Sequence, residues 1–131
     1  MDFKFNHVKI SGILSVVPEN ESFFEDEMGN YEFPPETSMK LKETMGYNKH
    51  RLAKPGSTIA GYACHGFNYL VENGLVRPDE IDALLVVGSV MDYPIPPTSN
   101  VIQGLLGLGE DCFCLDITQA CAGFELALIH I

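Results

Sequence analysis

The chain has 131 residues, of which 46% are hydrophobic and 20% are charged, and its formal net charge is −10. This length and composition fit one globular domain, or part of one, that buries about two-thirds of its unfolded surface. The acidic balance argues against nucleic acids and anionic membrane surfaces as partners, because both attract basic patches. No apolar run approaches the roughly 18 residues of a membrane span, and the N-terminus does not begin like a signal peptide. We therefore expect a cytoplasmic protein with reduced thiols at its four cysteines, Cys64, Cys112, Cys114 and Cys121.

The N-terminal part of the chain predicts one strand and one helix. Apolar and polar residues alternate along residues 8–16, which is the period of a strand. The acidic stretch 19–32 is interpreted as a solvated loop rather than a metal or partner site. Pro35 suits the first turn of a short helix, and Gly46 suits its end. Residues 47–55 are interpreted as a basic connector.

The middle of the chain predicts a longer helix followed by a buried strand. Ser57 or Thr58 can cap the helix, whose apolar residues recur at helical spacing until Asn73 and Gly74 stop it. Residues 83–87 form a continuous apolar run, which is typical of a strand that is covered on both faces.

A second helix and a second strand repeat this order. Three prolines keep residues 92–97 irregular, after which Thr98 or Ser99 can cap a helix that Gly107 ends. A strand is expected at residues 113–117, and another helix follows it. Strands that alternate with helices indicate an α/β fold with at least some parallel pairing.

A cysteine lies where the last predicted strand turns into the last helix. Free N–H groups and the positive end of the helix dipole favour an anion at such a position, and therefore the reactive thiolate. The small neighbours Ala120, Ala122 and Gly123 leave room for a substrate to reach the sulfur. This pattern predicts that Cys121 is a nucleophile. On spacing alone, a small buried hydrophobic residue is an equally good interpretation.

The residues around this cysteine resemble a known family. Residues 119–124, Gln-Ala-Cys-Ala-Gly-Phe, with Asp116 shortly before them, look like the nucleophile segment of β-ketoacyl-acyl-carrier-protein synthase III, in the thiolase superfamily. Three other pieces match in the family's order: residues 45–53, 80–86 and 96–108. Each piece alone is a weak signal, but the ordered set is a strong one. The resemblance covers nearly all of the chain from Glu36 onward, and the first predicted strand fits it too.

The resemblance implies a thiolase-like fold, a two-repeat α/β/α/β/α architecture. Residues 1–131 would form its first, N-terminal half-domain, which carries the nucleophilic cysteine. Such enzymes form a thioester on the cysteine and then condense the acyl group with the carbanion left by decarboxylation of malonyl-acyl-carrier protein. Cys121 would be the acylated residue, and its backbone N–H would be one oxyanion donor. The family's catalytic His and Asn lie in the second half, so no position here inherits them.

The resemblance also implies substrates and partners. The enzymes act in fatty-acid or related acyl-chain biosynthesis, with acyl-carrier protein as a partner and a primer carried on coenzyme A or on acyl-carrier protein. No separate cofactor and no metal is expected, and the complete protein would be a homodimer. Without the second half, we expect this part of the protein to catalyse no decarboxylative condensation.

Two departures from the family concern the primer. Members that use acetyl-coenzyme A sandwich its adenine between a Trp and an Arg, whereas the aligned positions here are about Lys40 and Thr44, and the chain has no Trp. A primer borne on acyl-carrier protein, or an unusual acyl group, is therefore favoured. Some members also insert a Phe into the acyl pocket of the partner subunit. Ile95 is the aligned residue, with ordinary loop packing as the alternative.

Other interpretations stay open at this point. The chain could belong to another condensing enzyme of the superfamily, such as a hydroxymethylglutaryl-coenzyme-A-synthase-like or secondary-metabolite enzyme. It could also be an inactive fragment or partner subunit. The pair Cys112 and Cys114 lies on one face of a strand and is better explained by packing than by a metal. His130, nine residues after Cys121 on the same predicted helix, lies too far along it to act as the base.

Overall fold

The structure, a computed structural model, describes residues 8–129 of the chain. Nine helices and strands lie in this described part. In chain order they are β1 (Asn20–Phe23), α1 (Phe24–Glu27), α2 (Pro35–Met45), β2 (Lys49–Leu52), α3 (Ile59–Glu72), β3 (Ala83–Val87), α4 (Thr98–Leu106), β4 (Phe113–Ile117) and α5 (Gly123–Ile129). Three 3₁₀ turns accompany them, at Met28–Asn30, Pro78–Glu80 and Ala120–Ala122.

The described strands form two separate pairs. β1 and β2 are antiparallel, with Asn20 opposite Leu52, and β3 and β4 are parallel, with Val87 opposite Ile117. Parallel strands need a crossover connection, and α4 supplies it between β3 and β4. The α/β class and the parallel pairing expected from the sequence are confirmed.

A small hydrophobic cluster joins the helices to the parallel pair. Ala60 of α3, Val86 of β3 and Ile102 of α4 are buried together, and Cys64 and Leu84 pack against them at partial exposure. The cluster fixes α3 and α4 against the parallel strands, so that the carboxyl ends of β3 and β4 lie beside the start of α4.

Several helix ends follow the local signals in the sequence. α2 begins at Pro35, and Gly46 ends it with a left-handed φ of 65°, a conformation that glycine adopts without steric cost. At the start of α3 the Thr58 hydroxyl accepts a hydrogen bond from the N–H of Gly61, 3.0 Å away. Of the two candidate caps for this helix, the structure therefore selects Thr58.

The strand predicted at residues 8–16 is wrong. In the described part of the chain, residues 8–18 belong to no ladder, and the first strand is β1. An alternating pattern supplies two faces but no backbone partner, and within residues 8–129 β3 and β4 pair only with each other. The segment instead packs on α3. A methyl group at Gly66 would lie 2.8 Å from a Val16 methyl and 3.3 Å from a Leu14 methyl.

The acidic stretch is also not the loop that composition indicated. It contains β1 and α1, and the predicted basic connector contains β2. Glu21 lies 2.9 Å from both Lys49 and Arg51 across the strand pair, and the hydrogen bond from Lys49 lowers the pKa of Glu21. Such exposed ion pairs add little to the free energy of unfolding. Their main effect is to favour the pairing of β1 with β2. The composition of each segment alone did not indicate this pairing of opposite charges between segments far apart in the chain.

Two further expectations from the sequence concern membrane spans and the state of the cysteines. None of the helices in the described residues has the length and apolar character needed to cross a bilayer. All four cysteines carry free thiols.

Candidate active site

Cys121 lies in a tight turn between β4 and α5. β4 ends at Ile117, a 3₁₀ turn covers Ala120–Ala122, and α5 begins at Gly123. The sequence prediction that this cysteine sits between a strand and a helix is confirmed, with the difference that it precedes the helix by one 3₁₀ turn. Cys121 is exposed to solvent. The alternative interpretation as a buried hydrophobic residue is therefore wrong.

The backbone of this turn is strained, and the hydrogen bonds within the turn do not involve the N–H of Cys121. Ala120 has a φ of 44°, which lies in the left-handed region. This conformation is energetically unfavourable for any residue other than glycine. The N–H of Ala122 donates to the carbonyl of Gln119 at 3.0 Å, and the N–H of Gly123 donates to that of Ala120. Neither bond uses the N–H of Cys121.

Gly123 lets α5 approach the sheet. A methyl group added at this position would lie 2.4 Å from Cγ1 of Val87, the last residue of β3. No real contact is this short, so any side chain here must push the helix away from the strand. The small residue beside the cysteine therefore serves helix packing. From the sequence alone, its small size indicated only room for a substrate.

Replacement of Gly123 by alanine is expected to lower the free energy of unfolding by about 1–3 kcal/mol, the usual cost of overpacking. Urea denaturation followed by circular dichroism measures this change. The matched control is Gly104→Ala in α4, where a methyl group would meet nothing within 4 Å. The control should keep or raise stability because alanine favours a helix. Equal effects of the two substitutions would contradict the close approach.

The start of α4 is capped by a residue that sequence spacing did not indicate. The N–H groups of Thr98 and Ser99 donate to the carboxylate of Asp116 in β4, at 2.7 and 2.8 Å. Pro97 occupies the cap position, so the prediction that Thr98 or Ser99 caps the helix with its own side chain is wrong. A carboxylate satisfies two N–H groups at once and adds charge at the positive end of the helix dipole. The Asp116 carboxylate is therefore a better cap for α4 than the hydroxyl of Thr98 or Ser99.

The carboxylate of Asp92 caps the start of α3 in the same way. The N–H groups of Ile59 and Ala60 donate to Asp92, at 2.7 and 2.8 Å. The N–H of Asp92 in turn donates to the hydroxyl of Thr98 at 3.3 Å, which joins the two capped helix ends. Asp92 lies in the proline-rich segment before α4. This segment, irregular as expected, is therefore tied to two helices.

The remaining cysteines differ from Cys121 in burial. Burial raises the pKa of the thiols of Cys64 and Cys114, and Cys112 is buried. The Cys114 thiol points back to the carbonyl of Cys112, 3.6 Å away, which is a strand contact. Within residues 8–129 there is no group of three side chains able to hold a metal ion.

Brief treatment with iodoacetamide near neutral pH is expected to label Cys121 at least about tenfold faster than Cys64 or Cys114, because alkylation needs an accessible thiolate. A time course of peptide mass spectrometry gives the rates. In urea the difference between the sites should disappear. Labelling of Cys64 at the rate of Cys121 in the folded protein would contradict the assignment.

The residues expected around the primer lie on exposed surface. Lys40 and Thr44 are exposed on α2, where the Thr44 hydroxyl donates to the Lys40 carbonyl at 2.8 Å. Ile95 is 87% exposed in the segment before α4. Its role in a partner subunit's acyl pocket stays a prediction. His130 lies outside the described residues.

One histidine has partners that sequence reasoning missed. The Nδ1 atom of His50 lies 2.5 Å from the Tyr47 hydroxyl, and its Nε2 atom lies 3.3 Å from Glu27. The Tyr47 contact is local, three residues before His50, whereas the Glu27 contact joins β2 to the end of α1, and spacing along the chain gave no signal for it. His65 is exposed on α3. Neither histidine belongs to an element that forms the Cys121 turn.

Comparison with known proteins shows which proteins the chain is similar to. A scan against models of protein families finds no match. The chain is 33% identical over 122 residues to a β-ketoacyl-[acyl-carrier-protein] synthase III of Rhodopirellula baltica, covering 93% of this chain and 34% of that protein. It is 30% identical over 123 residues to the synthase III of Salmonella typhimurium, covering 93% and 37%. By sequence, the chain is similar to β-ketoacyl-[acyl-carrier-protein] synthase III over most of its own length.

Solved structures agree on the fold. The 3-oxoacyl-(acyl-carrier protein) synthase of Burkholderia xenovorans superposes with a TM-score of 0.76 at 24% identity, over 87% of this chain and 32% of that one. At this identity the likeness shows the fold, which is the thiolase-like α/β fold implied by the resemblance. The chain spans about a third of the length of these curated relatives and solved structures.

Proposed function

We propose that the protein carrying this chain is an acyltransferase that forms a thioester on Cys121 and condenses its acyl group with malonyl-acyl-carrier protein. The observation that carries the proposal is the exposed thiol in the turn between β4 and α5, flanked by small residues and by its own unused N–H. The names of the synthase III relatives support an acyl-carrier protein as the substrate carrier.

The first step of the proposed reaction needs only this turn and an acyl thioester. The Cys121 thiolate attacks the thioester carbonyl, and the negative charge that develops on the carbonyl oxygen is stabilised by N–H donors. The carbon–sulfur bond to the carrier then breaks, and the carrier leaves as a thiol with the proton that Cys121 gave up. The product is an acyl group bound through a new thioester to Cys121.

The second step consumes this thioester. Malonyl-acyl-carrier protein loses carbon dioxide, and its carbanion attacks the acyl carbon on Cys121. The cysteine leaves and takes up one proton, and the 3-oxoacyl group remains on the carrier. The His and Asn that the family uses in this step are expected in the remainder of the protein. Among the described residues, His50 and His65 lie on β2 and α3, away from the elements that form the turn.

The primer is proposed to arrive on acyl-carrier protein. Lys40 and Thr44 stand where an adenine clamp would need a Trp and an Arg, and the Thr44 hydroxyl is bonded back onto its own helix. A clamp of this kind depends on stacking, which neither side chain provides. Ile95 is proposed to shape the acyl pocket of a second subunit in a homodimer.

Intact-mass spectrometry tests the proposal on the protein at its natural length. Incubation with an acyl-acyl-carrier protein should add the mass of one acyl group at Cys121, and added malonyl-acyl-carrier protein should remove it and yield 3-oxoacyl-acyl-carrier protein. Acetyl-coenzyme A should load more slowly. The proposal is overturned if no primer of either kind loads the protein, or if the acyl group resides on another cysteine.

A further inference from the structure

The segment that follows β3 and the turn that carries Cys121 lie at the same edge of the parallel strand pair. β3 and β4 run in the same direction, with Val87 opposite Ile117, so their carboxyl ends meet at one edge. The N–H of Gly88 donates to the Ile117 carbonyl at 3.1 Å, which continues the pairing past the end of β3. Ligands of open α/β sheets bind outside the carboxyl ends of the strands. The residues after β3 are therefore placed to border a substrate on Cys121.

The packing of α5 supports this placement. Gly123 approaches β3 so closely that an added methyl group would lie 2.4 Å from Cγ1 of Val87, and Cys121 is only two residues before it. The segment after β3 also carries exposed apolar side chains, with Val90 76% and Ile95 87% exposed. Burial of such surface against an acyl chain is favourable.

Asp92 and Thr98 hold this segment in place. The carboxylate of Asp92 accepts the N–H groups of Ile59 and Ala60 at the start of α3, at 2.7 and 2.8 Å. The N–H of Asp92 donates to the hydroxyl of Thr98 at 3.3 Å, and Thr98 is fully buried at the start of α4. Residues 93–97 thus form a loop whose base is anchored to two helices. The three prolines in this loop restrict its φ angles further.

Thr98 also connects the segment to the strand that leads to Cys121. Its N–H donates to the carboxylate of Asp116 at 2.7 Å, and Asp116 lies five residues before Cys121. One buried residue therefore binds the segment after β3 through its hydroxyl and β4 through its N–H. Loss of the hydroxyl bond would free the segment while leaving the bond to β4.

We propose that Asp92 and Thr98 are positioning residues that determine which acyl primers load Cys121. This inference rests on the acylation of Cys121 that is proposed above. When both residues hold the segment, it gives the acyl chain a wall of fixed shape, which distinguishes chains by length. When the segment is released, it adjusts to chains of different length, so selectivity falls while the thiol and its turn remain.

Time courses of intact-mass spectrometry with butyryl-, hexanoyl- and octanoyl-acyl-carrier protein test the inference on the protein at its natural length. The native protein should load the best and the worst of these primers at rates that differ at least about tenfold, and Asp92→Ala should reduce this difference to about threefold or less. The matched control is Thr58→Ala, which removes the other cap of α3, at the N–H of Gly61. It should weaken α3 and keep the native ratio of rates.

A pair of variants at Thr98 tests the second anchor. Thr98→Val removes the hydroxyl at nearly constant volume and should lower selectivity as Asp92→Ala does. Thr98→Ser keeps the hydroxyl and should load the three primers in the native ratio. Far-ultraviolet circular dichroism confirms that each variant is folded, and the Thr98 pair decides the matter if Asp92→Ala does not fold.

The outcomes separate this inference from the proposed function. Failure of every primer to load the native protein would overturn both. The inference alone is overturned if the native protein loads all three primers equally fast, if folded Asp92→Ala and Thr98→Val keep the native ratio, or if Thr58→Ala or Thr98→Ser loses selectivity to the same extent as they do.

Discussion

Replacement of Cys121 by alanine is expected to abolish the acyl-enzyme and to lower condensation by about a thousandfold or more, because the step that forms the thioester then has no nucleophile. Intact-mass spectrometry after incubation with acyl-acyl-carrier protein measures the first effect. Steady-state formation of 3-oxoacyl-acyl-carrier protein measures the second. Both effects should appear without a change in stability, since the side chain is exposed and contributes little to packing.

The matched control is Cys64→Ala, which removes a partly buried thiol of α3 whose pKa is raised by burial. This variant should accumulate the thioester on Cys121 to the same extent as the native protein, with a modest loss of stability from the space left beside the core. Thioester formation in Cys121→Ala would contradict the assignment of the nucleophile. Loss of the thioester in a folded Cys64→Ala protein would contradict it equally.

The parts of the fold that the sequence predicted well depend on neighbours in the chain. Pro35 and Gly46 bound α2, Thr58 caps α3, and the apolar run at residues 83–87 forms β3. Each of these signals acts within one or two turns of helix or along one strand. The same is true of the turn at Cys121, because a strand pattern, small residues and a helical pattern follow one another directly.

The parts that the sequence did not predict depend on residues far apart in the chain. β1 forms because Glu21 and its neighbours meet β2 some 30 positions later, with Glu21 opposite Arg51 in the register. The strand pattern at residues 8–16 fails for the converse reason, since it pairs with no strand in the described part of the chain. His50 gains its contact with Glu27 only when β2 lies against the end of α1.

The candidate site also combines local features that the sequence predicted with long-range contacts that it did not predict. The position and exposure of Cys121 follow local signals, but what holds the turn in place does not. Gly123 looked like a source of room for a substrate, and the structure shows that Val87, from another strand, requires its small size. Asp116 looked like part of a motif, and the structure shows that it caps a helix that begins 18 residues earlier.

Replacement of Asp116 by alanine is expected to lower the free energy of unfolding by about 2–4 kcal/mol, because two charge-assisted hydrogen bonds are lost together. The donors are the N–H groups of Thr98 and Ser99, both residues fully buried, so water does not readily replace the carboxylate. Asp116→Asn keeps one acceptor oxygen and should lose about half as much. Urea denaturation of the three proteins gives the values.

The control is Asp79→Ala, which removes an exposed carboxylate that pairs with Arg77 and should leave stability unchanged within error. Equal losses for Asp79→Ala and Asp116→Ala would contradict the capping role. Because Asp116 lies five residues before Cys121 on the strand that leads to the turn, loosening it should also slow acylation while the thiol stays present. A variant that unfolds more easily but acylates at the native rate would show that the turn is held by Gly123 and β3 alone.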